Sequence, residues 1–445
     1  MVNAPLPFIR RSAPRFTLPA VSAPKARQPT TPRGSATPTV FLEQTLPVTG
    51  QGVTLLELSA TGPFRIILTS TRDNTSGNVI VLEVSAQGAN FRRADDNDPK
   101  SILKASTRPQ DGVDRGQENA YWLSLDTQNR RLRYGKGYAQ AQLTLLQWDY
   151  PAGDPKEIDP AKLPFAWTAD LRYIALAHSG DGPFTPQIEL FPTPVVSDLP
   201  ALIVSDQRIT MDELAQGKVT VVANLSAECK VLYANVAGAD IVLDAPDFPD
   251  FSAAINYSIV TPDCVCYNLL KAKEGEFGKP NPRGTYLRIT LGDNLGDSPG
   301  IPYVLEIWPG QNYSPIHNHA GADAVIKVLH GQIQSRWFAE LSPLYLEYYE
   351  KFNLVAGDVT WLSPSAYQTH QLFNPAPVGQ MCATLQCYRY PNADRGHYEY
   401  FDYLAQVDGV WTTQQFYPNS DMNYLNFKAA IRAEWDQVVA NSKPT

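Results

Sequence analysis

The sequence predicts a mainly β protein, in which a β-sandwich-like N-terminal domain precedes a small C-terminal β-barrel with flanking helices. Short apolar runs rich in β-branched and aromatic residues recur along the chain, separated by Gly, Asn and Asp. The chain has 445 residues, which is too long for one ordinary hydrophobic core. We therefore predict a tail at residues 1–40, a sandwich-like domain at 41–205 and a barrel domain at 206–445.

Composition narrows the classes of partner. The formal net charge is −8, and no folded segment carries a basic stripe, so we expect no nucleic-acid partner. No apolar run approaches the ~18 residues that a membrane span needs, so we expect no membrane partner. Five scattered cysteines are typical of reduced thiols in the cytoplasm. The sequence does not indicate an oligomeric state.

The N-terminal tail is rich in proline and basic residues, and the first acidic residue is Glu43. The tail has no hydrophobic period, which predicts disorder. An acid-free basic N-terminus is also a feature of mitochondrial transit peptides, although proline opposes the amphipathic helix of such peptides. Mitochondrial targeting by this tail is therefore the alternative to a cytoplasmic location.

In the first domain, strands are predicted at 53–58, 64–69 and 78–84, followed by a pair at 121–126 and 131–137. No catalytic cluster stands out there, and the role of this domain stays open. In the second domain, residues 219–223 and 230–236 have strand composition. A helix is expected to begin at Thr261-Pro262-Asp263. Apolar residues at helical spacing predict a closing helix: Phe427, Ile431, Trp435 and Val438.

Three histidines of the second domain indicate a metal site. His317 and His319 lie between two strand-like runs, 303–308 and 324–329, and His370 follows a third such run. Residues two apart on a strand point to the same face, so both imidazoles of the pair can aim at one point. Imidazole nitrogen suits zinc, copper, iron and nickel. The alternative is three unrelated histidines, one of them packed in the core.

Four segments follow one another in a specific order and spacing: Tyr286-Leu287-Arg288, Ile316-His317-Asn318-His319, His370-Gln371-Leu372-Phe373-Asn374 and Thr384-Leu385-Gln386-Cys387-Tyr388. On these segments, residues 285–391 resemble the thiol dioxygenases of the cupin superfamily, and the cysteine dioxygenase-like members most closely.

The resemblance implies a role for each matched residue. His317, His319 and His370 would bind Fe(II), and Arg288 would bind the substrate carboxylate. Tyr388 would donate a hydrogen bond to bound sulfur or oxygen, while Tyr286 and Gln386 would line the substrate pocket. The partners that this implies are a small thiol and O₂.

Two positions depart from the family pattern. Some members link a cysteine to the active-site tyrosine, but the matching position here is Ala324, so no such link to Tyr388 can form. The family also has a histidine in contact with that tyrosine, where this chain has Gln386. A glutamine can hydrogen-bond but cannot gain a proton. Asp323, next to Ala324, is expected to face away from the metal.

The activity that we predict is iron(II)-dependent oxidation of L-cysteine by O₂ to cysteine sulfinate. Three neutral ligands leave the iron its full 2+ charge and an open face for an anionic thiolate. One alternative is a dioxygenase of another small thiol acid. The other is a non-catalytic cupin or β-sandwich protein that binds a ligand.

Overall fold

A computed structural model describes residues 39–149, 166–179, 184–205, 207–291, 303–389, 401–417 and 419–442. These residues divide into two compact units, with the division between Asp198 and Leu199. The border predicted between residues 205 and 206 therefore falls inside the second unit. Residues 1–38 of the predicted disordered tail lie outside the described residues. Its last two residues, 39 and 40, belong to the first strand.

The first unit consists of two antiparallel sheets. A six-stranded sheet has the order β1-β10-β3-β4-β5-β6, and a five-stranded sheet has the order β11-β2-β7-β8-β9. Their strands are β1 (Thr39–Thr45), β2 (Gln51–Ser59), β3 (Phe64–Thr69), β4 (Val79–Ser85), β5 (Gly88–Arg92), β6 (Ile102–Ser106), β7 (Glu118–Asp126), β8 (Arg131–Lys136), β9 (Thr144–Asp149), β10 (Tyr173–His178) and β11 (Gln187–Phe191).

The two sheets pack face to face over one core. Phe64 and Leu82 of the six-stranded sheet share a buried cluster with Leu56, Tyr121 and Leu123 of the five-stranded sheet. Alternate residues of each strand supply that cluster, as expected for a sheet with one covered face. The predicted pair of strands at 121–126 and 131–137 is the antiparallel pair β7 and β8.

Among the described residues, the second unit contains the remaining strands and five α-helices. The strands are β12 (Leu202–Val204), β13 (Thr220–Val221), β14 (Leu287–Leu291), β15 (Tyr303–Trp308), β16 (Asp323–His330), β17 (Gln332–Trp337), β18 (Glu350–Val355), β19 (Val359–Leu362), β20 (His370–Phe373), β21 (Cys382–Arg389), β22 (Phe401–Val407), β23 (Val410–Phe416) and β24 (Met422–Asn423). The helices are α1 (Met211–Gln216), α2 (Ala227–Val236), α3 (Phe251–Val260), α4 (Val265–Ala272) and α5 (Tyr424–Ser442).

Strands of the second unit form a small barrel. An eight-stranded sheet has the order β13-β12-β19-β16-β21-β15-β14-β24, and β18-β17-β20 form a three-stranded sheet. Trp308, Val328 and Cys382 of the large sheet share a buried cluster with Ile333 and Leu372 of the small sheet. The two sheets therefore close around one interior. The mainly β fold class predicted from the sequence is confirmed.

Helices cover the outer face of the large sheet. Phe251 of α3 and Phe427 of α5 pack in one cluster with Leu287, Leu305 and Ile307 of the sheet. Along β15 the side chains alternate, so Leu305 and Ile307 face these helices while their neighbours face the interior. The closing helix predicted from its apolar spacing is confirmed as α5. No helix in the described ranges is both long and apolar enough to cross a membrane.

Two local predictions were wrong. Residues 230–236 belong to α2, not to a strand, because the Ser226 side chain caps the helix by accepting from the Cys229 N–H. Thr261 ends α3 rather than starting a helix, and α4 begins only at Val265. The Thr261-Pro262-Asp263 stretch turns the chain between these two helices, with Asp263 at a φ of 68°.

Candidate metal centre

The three histidines converge inside the barrel. His317 and His319 lie on the segment between β15 and β16, so the expectation that they share a regular strand is wrong. His317 instead forms an isolated bridge with His370, the first residue of β20. The His317 N–H donates to the His370 carbonyl at 3.0 Å, and the His370 N–H donates back at 2.9 Å. This reciprocal pairing fixes the two residues side by side.

The imidazoles are close together and buried. Their candidate ligand atoms all lie within 4.8 Å of one another, and no other His, Cys, Asp or Glu of the described residues joins them in this cluster. The exposed fraction is 5% for His317, 1% for His319 and 2% for His370. Such a group could hold a metal ion.

Burial keeps these histidines neutral. It lowers the pKa of His317 to about 4. It lowers the pKa values of His319 and His370 well below the usual range, and the neighbouring imidazoles of the cluster lower them further. A histidine must be unprotonated to bind a metal, so the site holds its ligands in the required form at neutral pH.

Hydrogen bonding leaves ring nitrogens for a metal. His317 Nδ1 lies 3.0 Å from the Pro315 carbonyl, which can only accept, so Nδ1 carries the proton and Nε2 keeps its lone pair. His319 Nδ1 and His370 Nε2 are buried without a hydrogen-bond partner. Unpartnered buried nitrogens are costly, and coordination to a metal would satisfy them. The residues therefore fit a metal ion.

Gln368 holds the backbone around His319. Its side-chain oxygen accepts from the N–H groups of His319 at 2.9 Å and Gly321 at 3.2 Å. Its side-chain nitrogen donates to the carbonyls of Ala322 at 3.1 Å and Ser363 at 2.9 Å. One buried amide thus ties the histidine segment to the loop before β20.

A series of hydrogen bonds between buried polar side chains crosses three neighbouring strands beside the histidines. Arg288 Nη1 donates to Glu306 Oε1 at 2.6 Å, and these residues are direct partners on β14 and β15. Glu306 Oε2 accepts from Gln386 Nε2 on β21. Gln386 Oε1 in turn accepts from the Tyr388 hydroxyl. The structure thus brings Arg288, Gln386 and Tyr388 together.

Aromatic rings lie between these hydrogen-bonded side chains and the three histidines. The Phe401 ring lies 4.7 Å from the His319 ring and 5.9 Å from Arg288 Cζ. Tyr388 stacks on His319 with ring centroids 5.7 Å apart. Tyr286 stacks on Trp308 at 4.2 Å, and burial raises the pKa of its phenol well above the usual range. Their roles in binding and catalysis stay predictions.

The structure places Ala324 and its neighbour Asp323 on opposite faces of β16. Ala324 is the direct strand partner of Tyr388, so a small methyl group lies beside this tyrosine. Asp323 Oδ1 accepts from Ser226 Oγ at 3.1 Å and from Cys229 Sγ at 3.3 Å. Its carboxylate therefore faces α2 rather than the histidines, as the alternation of side chains predicted.

Sequence reasoning missed Glu306, Gln368 and Phe401. Glu306 sits in an apolar run, and a charged residue at an inward position of a strand was the signal that could have revealed it. Gln368 lies two residues before His370, but no motif announces its four hydrogen bonds. Phe401 follows residues that the structure does not describe, and its approach to His319 has no sequence signal.

Comparison with known proteins gives matches only among solved structures, since no family model and no curated protein matches the chain. A cupin 2 conserved barrel protein from Salinispora arenicola is 14% identical, covering 25% of this chain and 80% of its own, with a TM-score of 0.20. A cupin superfamily protein from Desulfitobacterium hafniense is 16% identical, covering 24% and 77%, with a TM-score of 0.18.

An oxalate oxidase in complex with the substrate analogue glycolate is also similar. It is 14% identical, covers 26% of this chain and 55% of its own, and has a TM-score of 0.19. These scores are too low to carry an argument about activity.

Proposed function

We propose that the chain is an iron(II)-dependent dioxygenase that converts a small thiol and O₂ into the corresponding sulfinate. The observation that carries the proposal is the buried group of three neutral imidazoles, His317, His319 and His370, inside a small barrel. The resemblance of residues 285–391 to thiol dioxygenases supports iron and a thiol over other metals and substrates.

An iron ion held by three histidine nitrogens would suit a thiol substrate. A ferrous ion held by three neutral nitrogens would keep its 2+ charge, so it would favour thiolate over thiol and bring sulfur next to O₂. The chain itself needs no general base to activate sulfur. Its contribution is to keep the histidines unprotonated and fixed, through burial, the Pro315 carbonyl and Gln368.

The overall reaction balances without a further reductant. The S–H and O–O bonds break, and two S–O bonds form. Sulfur loses four electrons and the two oxygen atoms gain them, while the thiol proton passes to solvent. The buried aromatic residues Phe401 and Tyr388 exclude water next to His319, where this chemistry would take place.

The identity of the thiol is a separate question. The sequence predicts L-cysteine, with Arg288 bound to its carboxylate. In the structure Arg288 already pairs with Glu306. The proposal therefore covers small thiols as a class, and cysteine and cysteamine are the two substrates that need to be compared.

The test uses the full chain loaded with Fe(II), isotopically labelled O₂, and either cysteine or cysteamine. We expect O₂ uptake and a sulfinate product that carries both labelled oxygens, and we expect His319→Ala to abolish both. A protein that binds iron but consumes no O₂ with any small thiol would contradict the proposal. That outcome would favour the non-catalytic binding protein.

A further inference from the structure

The ion pair between Arg288 and Glu306 is built into the site. The two side chains are direct strand partners and are only 3% and 4% exposed. Both oxygens of the Glu306 carboxylate are engaged, one by Arg288 Nη1 and the other by Gln386 Nε2. A carboxylate that is buried, paired and bonded at both oxygens is not readily displaced, because breaking the pair leaves an uncompensated charge.

The pair lies next to the candidate metal ligands. Arg288 Cζ is 5.9 Å from the Phe401 ring centroid, and the same ring is 5.8 Å from the His317 ring and 4.7 Å from the His319 ring. The Phe401 ring therefore lies near both the guanidinium and the imidazoles, and a small substrate at the histidines that extends past this ring would meet Arg288 with Glu306 bound to it.

The direction of the hydrogen bonds also follows from Glu306. An ionised carboxylate can only accept, so Gln386 must turn its NH₂ group toward Glu306 and its oxygen toward Tyr388. The Tyr388 hydroxyl then donates its only hydrogen to Gln386, so Glu306 also sets the direction of this hydrogen bond.

We propose that Glu306 determines specificity by taking, on Arg288, the place that a substrate carboxylate would need. The site then selects a small thiol without a carboxylate. A substrate carboxylate would add a second negative charge beside Glu306 on a single guanidinium, in a site with little water to screen the repulsion. This inference rests on the proposed function, because it takes the histidine cluster as the place where the thiol binds.

The test compares cysteine and cysteamine, which differ by the carboxylate alone. Dissociation constants are measured without O₂ on the iron-loaded full chain, so that no turnover is needed. We expect wild-type protein to bind cysteamine at least about tenfold more tightly than cysteine. In Glu306→Gln, which keeps the shape and removes the charge, this ratio should fall by about tenfold or more. The exposed Glu347→Gln is the matched control and should keep the wild-type ratio.

If Glu306→Gln does not fold, the ratio of the two dissociation constants in the wild-type protein is enough to test the inference. Equal or tighter binding of cysteine by wild-type protein would overturn the inference, and so would an unchanged ratio in a folded Glu306→Gln protein. A different result would contradict the proposed function alone. If the protein binds cysteamine preferentially but consumes no O₂ with it, Glu306 keeps its role in specificity and the oxidation of a thiol is contradicted.

Discussion

The backbone N–H of His319 donates to the side-chain oxygen of Gln368 at 2.9 Å, across 49 positions of the sequence. The same amide bonds to Gly321, Ala322 and Ser363, so it connects the two segments that supply all three imidazoles. His317 and His319 lie outside the strands, and side chains in such segments depend on supports of this kind, because loops do not fix side chains as strands do.

We predict that Gln368→Leu destabilises the protein by about 2–4 kcal/mol, because it leaves several backbone groups without partners in a buried place. Metal affinity should fall as well, since the His319 segment loses its support. Denaturant unfolding and metal titration measure the two effects. Gln380→Leu, at an exposed position, is the control. Equal unfolding midpoints for the two variants would show that Gln368 is dispensable.

The ion pair of Arg288 and Glu306 should show strong coupling. Either Arg288→Met or Glu306→Leu leaves a buried charge unpaired, which typically costs about 3–5 kcal/mol. The double variant removes both charges, so it should be much less destabilised than the sum of the two single changes. A double-mutant cycle from denaturant unfolding provides the coupling energy. Additive effects would mean that the two charges do not stabilise each other.

The cysteines should be poorly reactive in the folded protein. Burial raises the pKa of Cys266 and Cys387 to about 12, and it also raises the pKa values of Cys229 and Cys382. At pH 8 these thiols stay protonated, and the thiolate is the reactive form. In the folded protein only Cys264, which is half-buried, should react with a thiol reagent. After unfolding, all five cysteines should react. Fast reaction of several native thiols would contradict this burial.

The second unit should bind metal by itself, because it contains all three histidines and Gln368. The fragment has to begin at residue 199, since β12 pairs with β19 and the Pro200 carbonyl accepts from Trp361 Nε1 at 3.0 Å. We expect residues 199–445 to bind metal as the full chain does, and a fragment that starts at 206 to be less stable. A folded 199–445 fragment without metal affinity would show that the site needs the first unit.

The sequence predicted the three histidines because their spacing and the segments around them are local patterns. It also predicted that Asp323 faces away, since side chains alternate along a strand. It could not predict that Arg288 pairs with Glu306, because that contact depends on the register of β14 against β15. The strand predicted at 230–236 was wrong because its apolar residues suit either structure, and the cap at Ser226 favours the helix.

The metal content of the purified full chain and of its histidine variants shows whether the three histidines bind a metal. We predict close to one iron per chain, lost in His317→Ala and in His370→Ala. His330→Ala should keep the iron, because His330 ends β16 outside the cluster. Full iron occupancy in both His317→Ala and His370→Ala would contradict the assignment of the metal centre.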